Sequence, residues 1–249
     1  MTSHATLRGM NRLIALLLFF SALASAQAQF PEYVICSGGP ALRKFEEYRV
    51  ADDRHDRYWG NFTKAASIRM TQLRNQIGPN LNLTWLIYRP SYLTRAVEDA
   101  RSTTVQYRCD LGEIQTLAGK VGARIVWFSS TPEFVSFMNS HSRRPMGGFE
   151  YFGHSNKYCF LFDYSAEVLG ASSCYLHVKN LGMLRRGIFT PNAFVKSWGC
   201  NMADGDDSMY RAWKSATGHN MIAADGKTDY TTIKDGVTLP TVNGRGWKQ

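Results

Sequence analysis

Phe149-Glu150-Tyr151-Phe152-Gly153-His154-Ser155 and, further on, Ala193-Phe194-Val195-Lys196-Ser197-Trp198-Gly199-Cys200 decide how this chain folds. Each is an apolar, β-prone run that reaches a glycine and then a side chain able to do chemistry. Between them Leu181, Leu184 and Ile188 recur at helical spacing, so Leu176 to Phe189 reads as a helix. Strand, helix, strand is the unit of a parallel sheet, and it brings the carboxyl ends of neighbouring strands side by side. His154 and Cys200 then stand where an imidazole and a thiol can meet.

The rest of the chain continues that alternation. Lys64 to Ile77 is expected as a helix stopped by Gly78-Pro79, and Leu83 to Tyr88 as a strand closed by Arg89-Pro90. Leu111 to Val121 is a helix with Gly122 as its stop, and Ala123 to Phe128 is the second strand. Thr131 caps a helix running to about Ser140, with Pro132 at the first helical position, where a missing N–H is harmless. After the Cys200 strand, Asp206-Asp207-Ser208 caps a helix from Met209 to Ala216, and Met221 to Ala224 forms the fifth strand. Residues 30–60 read as irregular, and the tail from Asp235 as surface loop. The expectation is an α/β domain of three layers, with a mostly parallel sheet of about five strands and flanking helices.

The amino terminus is set apart. Arg8 and Arg12 precede the apolar run Leu13 to Leu23, and small residues near Ala24 to Ala28 offer a cleavage site, the pattern of a secretory signal peptide over 1–28. That run falls short of the roughly 18 apolar residues a membrane span needs, and no transmembrane segment is expected later. Residues 29–249 are expected as a single domain with its core at about 83–225, secreted or periplasmic. The formal charge of +9 becomes +7 once Arg8 and Arg12 are removed (9 − 2), and it is spread without a basic block. No nucleic acid is expected as a partner, whereas an acidic or cell-envelope partner stays open.

Five cysteines in an exported chain, Cys36, Cys109, Cys159, Cys174 and Cys200, leave at least one thiol unpaired within the monomer. Cys200 is the candidate for the free one, since it alone ends a buried-looking strand at a glycine. Cys159 with Cys174 could staple a hairpin, with Cys36 and Cys109 as the second pair. A thiolate is the nucleophile in such chemistry, and a nearby imidazole activates it and later protonates the leaving amine. The oxyanion is expected to meet the backbone around Gly153-Ser155 and Gly199-Cys200, through the N–H groups of Ser155 and Cys200.

An apolar strand ending in Gly153-His154, a helix, then 46 positions later (200 − 154) a strand ending in Cys200 and a capped helix resembles the caspase-like cysteine peptidases. That group includes caspases, metacaspases, clostripain-like and gingipain-like enzymes. The resemblance covers Leu83 to Asp225 in element order. It implies a caspase-like domain with a peptide or protein substrate and no cofactor, His154 as the dyad histidine and Cys200 as the nucleophile. Ser155 stands where the family usually has Gly, and Gly199 and Asn201-Met202 replace its small residues around the Cys. Trp198 occupies the place of an Asp seen in members selective for basic residues, and is a candidate wall of a substrate subsite.

Other classes compete. Gly153-His154-Ser155-Asn156-Lys157 overlaps the Gly-x-Ser-x-Gly elbow of serine α/β-hydrolases, with Lys157 in place of the second Gly. His154, Cys159, Cys174 and His177 are ligands of the kinds zinc accepts, although no metal site is the leading expectation. Asp204-Gly205-Asp206-Asp207 is better read as helix capping than as a calcium loop. A secreted binding or envelope-associated domain that keeps the fold without catalysis is the remaining rival. His141 and His219 are expected on the surface near helix ends, and His177 at the start of a helix.

Overall fold

The computed structural model describes residues 30–40, 42, 60–99, 109–163 and 173–249. The signal-peptide expectation over 1–28 lies outside them, as do Arg54 to Trp59. Pro31–Gln249 form one compact unit.

A five-stranded sheet is its centre. In chain order the strands are β1 (Tyr33–Ser37), β2 (Leu83–Tyr88), β3 (Arg124–Phe128), β4 (Met146–Phe152) and, later, β8 (Phe189–Ser197). They lie side by side as β3-β2-β1-β4-β8, and every pairing among them is parallel. β1 and β2 are buried along their whole length, as parallel strands covered on both faces must be. One face carries Val34, Cys36, Leu86, Phe149, Tyr151 and Val195 in a single apolar cluster. The other carries Tyr33, Ile35, Trp85, Ile87, Phe152 and Trp198. This is a three-layer α/β arrangement.

The helices α1 (Asn61–Ile77), α2 (Arg89–Asp99), α3 (Leu111–Val121), α4 (Thr131–Ser140) and α5 (Met209–Thr217) cover the faces. Phe62, Ala65, Met70 and Leu73 of α1 and Ile114 and Ala118 of α3 join the Trp85 cluster, while Phe134 and Met138 of α4 and Trp213 of α5 join the Phe149 cluster. Local signals set the ends. Asp110 caps α3 by accepting from the Glu113 N–H, and Gly122 closes it in the left-handed conformation at φ 63°. The cap of α4 is Ser130, one residue before the expected Thr131, with Pro132 in the first turn.

A second, small sheet leaves the carboxyl end of β4. It comprises β5 (His154–Asn156), β6 (Cys159–Leu161) and β7 (Tyr175–His177), all antiparallel. A third is the hairpin of β9 (Ala223–Asp229) and β10 (Thr241–Lys248), bulged between Gly244 and Gly246.

Several sequence expectations need correction. Residues 30–60 contain β1, the middle strand of the main sheet, so the core reaches well beyond 83–225. Leu176 to Phe189 is not a helix but β7, a 3-10 helix over Val178–Met183 and a turn into β8. Met221 to Ala224 does not add a full fifth strand, because Ile222 makes only a parallel bridge to Lys196 before β9 pairs with β10. Arg89-Pro90 opens a helix rather than a loop, and the tail from Asp235 ends in β10.

All five thiols are free, and geometry explains why the expected bridges do not form. Cys36 and Cys109 belong to the clusters on opposite faces of the sheet. Cys159 lies opposite His177, whereas Cys174 lies beside Phe162, whose N–H bonds its carbonyl. Three residues along a strand is about 10 Å and reverses the side-chain direction, too far for a disulfide. No helix among the described residues is long and apolar enough to cross a membrane.

Candidate active site

The register of β4 with β8 pairs Tyr151 with Ser197. His154 and Cys200 each follow three residues beyond their member of that last pair, so they leave adjacent strands at the same carboxyl edge. The two exits are bound together. Trp198 donates its N–H to the Tyr151 carbonyl at 2.8 Å, and the Ser155 hydroxyl donates to the Cys200 carbonyl at 2.7 Å.

Both glycines are required by this close approach. A Cβ on Gly199 would stand 2.1 Å from Ser155 Oγ and 3.0 Å from the Gly153 carbonyl oxygen, and one on Gly153 would stand 2.3 Å from the Tyr151 hydroxyl. That hydroxyl lies 2.9 Å from the His154 carbonyl and 3.0 Å from that of Leu161, which pins the turn between β4 and β5.

His154 is half-buried, and its imidazole meets the edge of Phe62 with ring centroids 4.7 Å apart. Phe62, at the start of α1, meets Tyr230 in the same edge-on fashion at 5.2 Å. Tyr230 donates to the Trp198 carbonyl at 3.1 Å. Burial pushes its phenol well above the ordinary range, and the charge of Cys200 adds to that. Phe62 and Tyr230 therefore wall the edge beside His154 and Cys200.

Cys200 is the half-buried cysteine; the other four are buried. Desolvation raises all of those: Cys109 to about 12, Cys159 to about 11, and Cys36 and Cys174 upward. The Cys200 sulfur receives the Thr228 backbone N–H at 3.3 Å and lies 3.2 Å from the Thr228 hydroxyl. Asn201, the next residue, has φ 55°, a left-handed conformation that Asn tolerates better than most.

Beneath this edge lies a buried polar cluster. Glu150, fully buried on β4, accepts from Arg69 Nε at 2.6 Å, from Trp198 Nε1 at 2.7 Å and from the Tyr33 hydroxyl. Trp198 also stacks on Phe152 at 5.4 Å, and Lys196 Nζ sits 3.5 Å from its ring centroid and 3.7 Å from that of Trp247. Burial pulls the Lys196 amine down to about 8, against the attraction of Glu150. The indole faces favour its charged form. Trp198 is thus 6% exposed, with its indole N–H bonded inward to Glu150.

The competing sites are not assembled. Ser155 is 2% exposed with its hydroxyl engaged, and β6 follows where a serine elbow needs a helix. Of the zinc set, His154 opposes Leu161, Cys159 opposes His177, and Cys174 turns to Thr131. Among the described residues no group of three or more His, Cys, Asp or Glu side chains could hold a metal ion. Asp207 pairs with Lys157 at 2.5 Å, and Ser208 holds the cap position of α5 without a side-chain bond.

Two histidine expectations differ in outcome. His141 is buried, not on the surface, with Nε2 3.1 Å from Glu32. His177 does cap the 3-10 helix, accepting from the Lys179 N–H. Thr228, Tyr230, Phe62 and Glu150 carried no motif in the sequence. The one signal was a lone acid, Glu150, inside an otherwise apolar run.

No family model, curated protein or solved structure matches this chain.

Proposed function

We propose that this protein is an exported caspase-like cysteine peptidase in which Cys200 is the nucleophile and His154 the general base and acid. The observation that carries this is the equal offset of His154 and Cys200 from the last paired residues of two adjacent parallel strands, with the Ser155 hydroxyl tying their loops together. An imidazole and a half-buried thiol at one carboxyl edge suit acyl transfer, whereas the buried thiols are poor nucleophiles.

In this reading the Cys200 sulfur attacks the scissile carbonyl while His154 takes the thiol proton, and the carbonyl oxygen becomes an oxyanion near the Gly153-Ser155 and Gly199-Cys200 backbone. Collapse breaks the C–N bond, and His154 returns the proton to the leaving amine. Water, deprotonated by His154, then releases the acid and restores the thiol.

Peptide-library hydrolysis by native protein, Cys200→Ala and His154→Ala tests the assignment. Activity in the native protein is expected to fall at least a hundredfold in either variant, with folded far-UV spectra retained. Hydrolysis that survives Cys200→Ala refutes the assignment, and an inactive native protein favours a binding domain of the same fold.

A further inference from the structure

The loop after β8 is a series of turns tied to β9 by its backbone N–H groups. Ala203 donates its N–H to the Ala224 carbonyl at 2.9 Å, and Asn201 donates to the Gly226 carbonyl at 2.8 Å. Two residues further along β9 the Thr228 N–H goes to Cys200 Sγ at 3.3 Å, with the Thr228 hydroxyl 3.2 Å from the same atom. The sulfur is held by two groups of one residue.

We infer that Thr228 is a positioning residue that fixes the Cys200 thiol and holds its sulfur as a hydrogen-bond acceptor, so that the β9–β10 hairpin is part of the reactive site. This rests on Cys200 as the nucleophile proposed above. The strand fixes the direction of the N–H before any reaction. The hydroxyl rotates: it accepts from S–H while the proton is present and donates to sulfur once His154 has removed it. The hairpin that carries Thr228 is itself anchored to the loop, since Lys248 Nζ donates to the Ala203 carbonyl at 3.1 Å. A structural threonine filling space would need neither group aimed at sulfur.

The test is the pH profile of Cys200 alkylation by iodoacetamide, read by peptide mass mapping in native protein, Thr228→Val and Thr228→Ser. Thr228→Val keeps the shape and removes the hydroxyl. Its Cys200 rate at pH 7 is expected to drop about tenfold, with the profile displaced to higher pH, and Thr228→Ser to restore both. A Thr228→Val profile that coincides with the native one overturns the inference.

A second measurement needs no variant. In native protein the Thr228 amide resonance should move through the same pH interval over which the alkylation rate rises, and a flat resonance also overturns it. The peptidase assignment fails separately. Native protein that hydrolyses nothing yet shows the displaced Thr228→Val profile keeps Thr228 in its role and removes the peptidase, whereas hydrolysis with coincident profiles does the reverse.

Discussion

Replacing Glu32 with Gln should cost measurable stability at neutral pH and almost none in acid. Glu32 precedes β1 and faces the opposite edge of the sheet from Cys200. Its carboxylate lies 3.1 Å from His141 Nε2, accepts from Arg124 Nη2 at 2.7 Å, and takes the Thr84 hydroxyl. The His141 bond is the largest influence holding this carboxyl at about 2, below its ordinary 4.5; burial opposes it, and Thr84 and Arg124 add to it. That difference corresponds to about 3 kcal/mol. Arg124 is 58% exposed, so solvent screening brings the expected loss to about 1–2 kcal/mol.

In a domain of this size that is a fall of about 3–6 °C in Tm. Because the folded-state value is depressed, the contribution is complete above about pH 4.5 and is lost as pH falls through about 2. Thermal melts of native and Glu32→Gln protein at pH 7, 3 and 2 measure it. The gap at pH 3 should be under half that at pH 7. Equal melts at pH 7, or a gap undiminished at pH 2, would refute the reasoning.

Other predictions concern the site and the layer beneath it. Limited alkylation at pH 8 should modify Cys200 first, since thiols held at about 11 and 12 in Cys159 and Cys109 are only about 0.1% and 0.01% ionised there; equal labelling of several cysteines in folded protein counts against it. Gly199→Ala should lower stability by about 1–3 kcal/mol and disturb Cys200 reactivity, because rotating Ser155 cannot relieve the contact with its own Cβ at 2.8 Å; an unchanged melt would show that the two loops can part freely. Glu150→Leu should cost about 3–5 kcal/mol by stranding Arg69, Trp198 Nε1 and the Tyr33 hydroxyl, and chemical denaturation that finds less than 1 kcal/mol would contradict the role given to that cluster.

The parallel three-layer arrangement was legible because β2, β3, β4 and the end of β8 are largely apolar runs, and because Gly122 marks the end of α3 and Pro132 the first turn of α4. β1 was not, since Tyr33 to Cys36 is a run of only four apolar residues between Glu32 and Ser37-Gly38-Gly39-Pro40; burial on both faces is what makes it a strand. Pro90 hid α2, being harmless in a first turn yet readable as a stop. Leu181, Leu184 and Ile188 mimic a helical face, but a short 3-10 helix and the turn after it bury them equally well. Gly244 and Gly246 masked β10, where the first lies at the bulge and pairs closely with Gly226. At the site, His154 and Cys200 could be singled out by type and position. Thr228 and Tyr230 could not, because they reach the sulfur and Trp198 through a long-range hairpin contact that no local pattern encodes.

The pairing of His154 with Cys200 is tested most directly by labelling native protein and His154→Ala with a peptidyl electrophile and mapping the adduct by mass spectrometry. Native protein should carry one adduct, on Cys200, forming at least a hundredfold faster than in His154→Ala at pH 7. An adduct on another cysteine, or equal rates in the two proteins, would contradict the dyad.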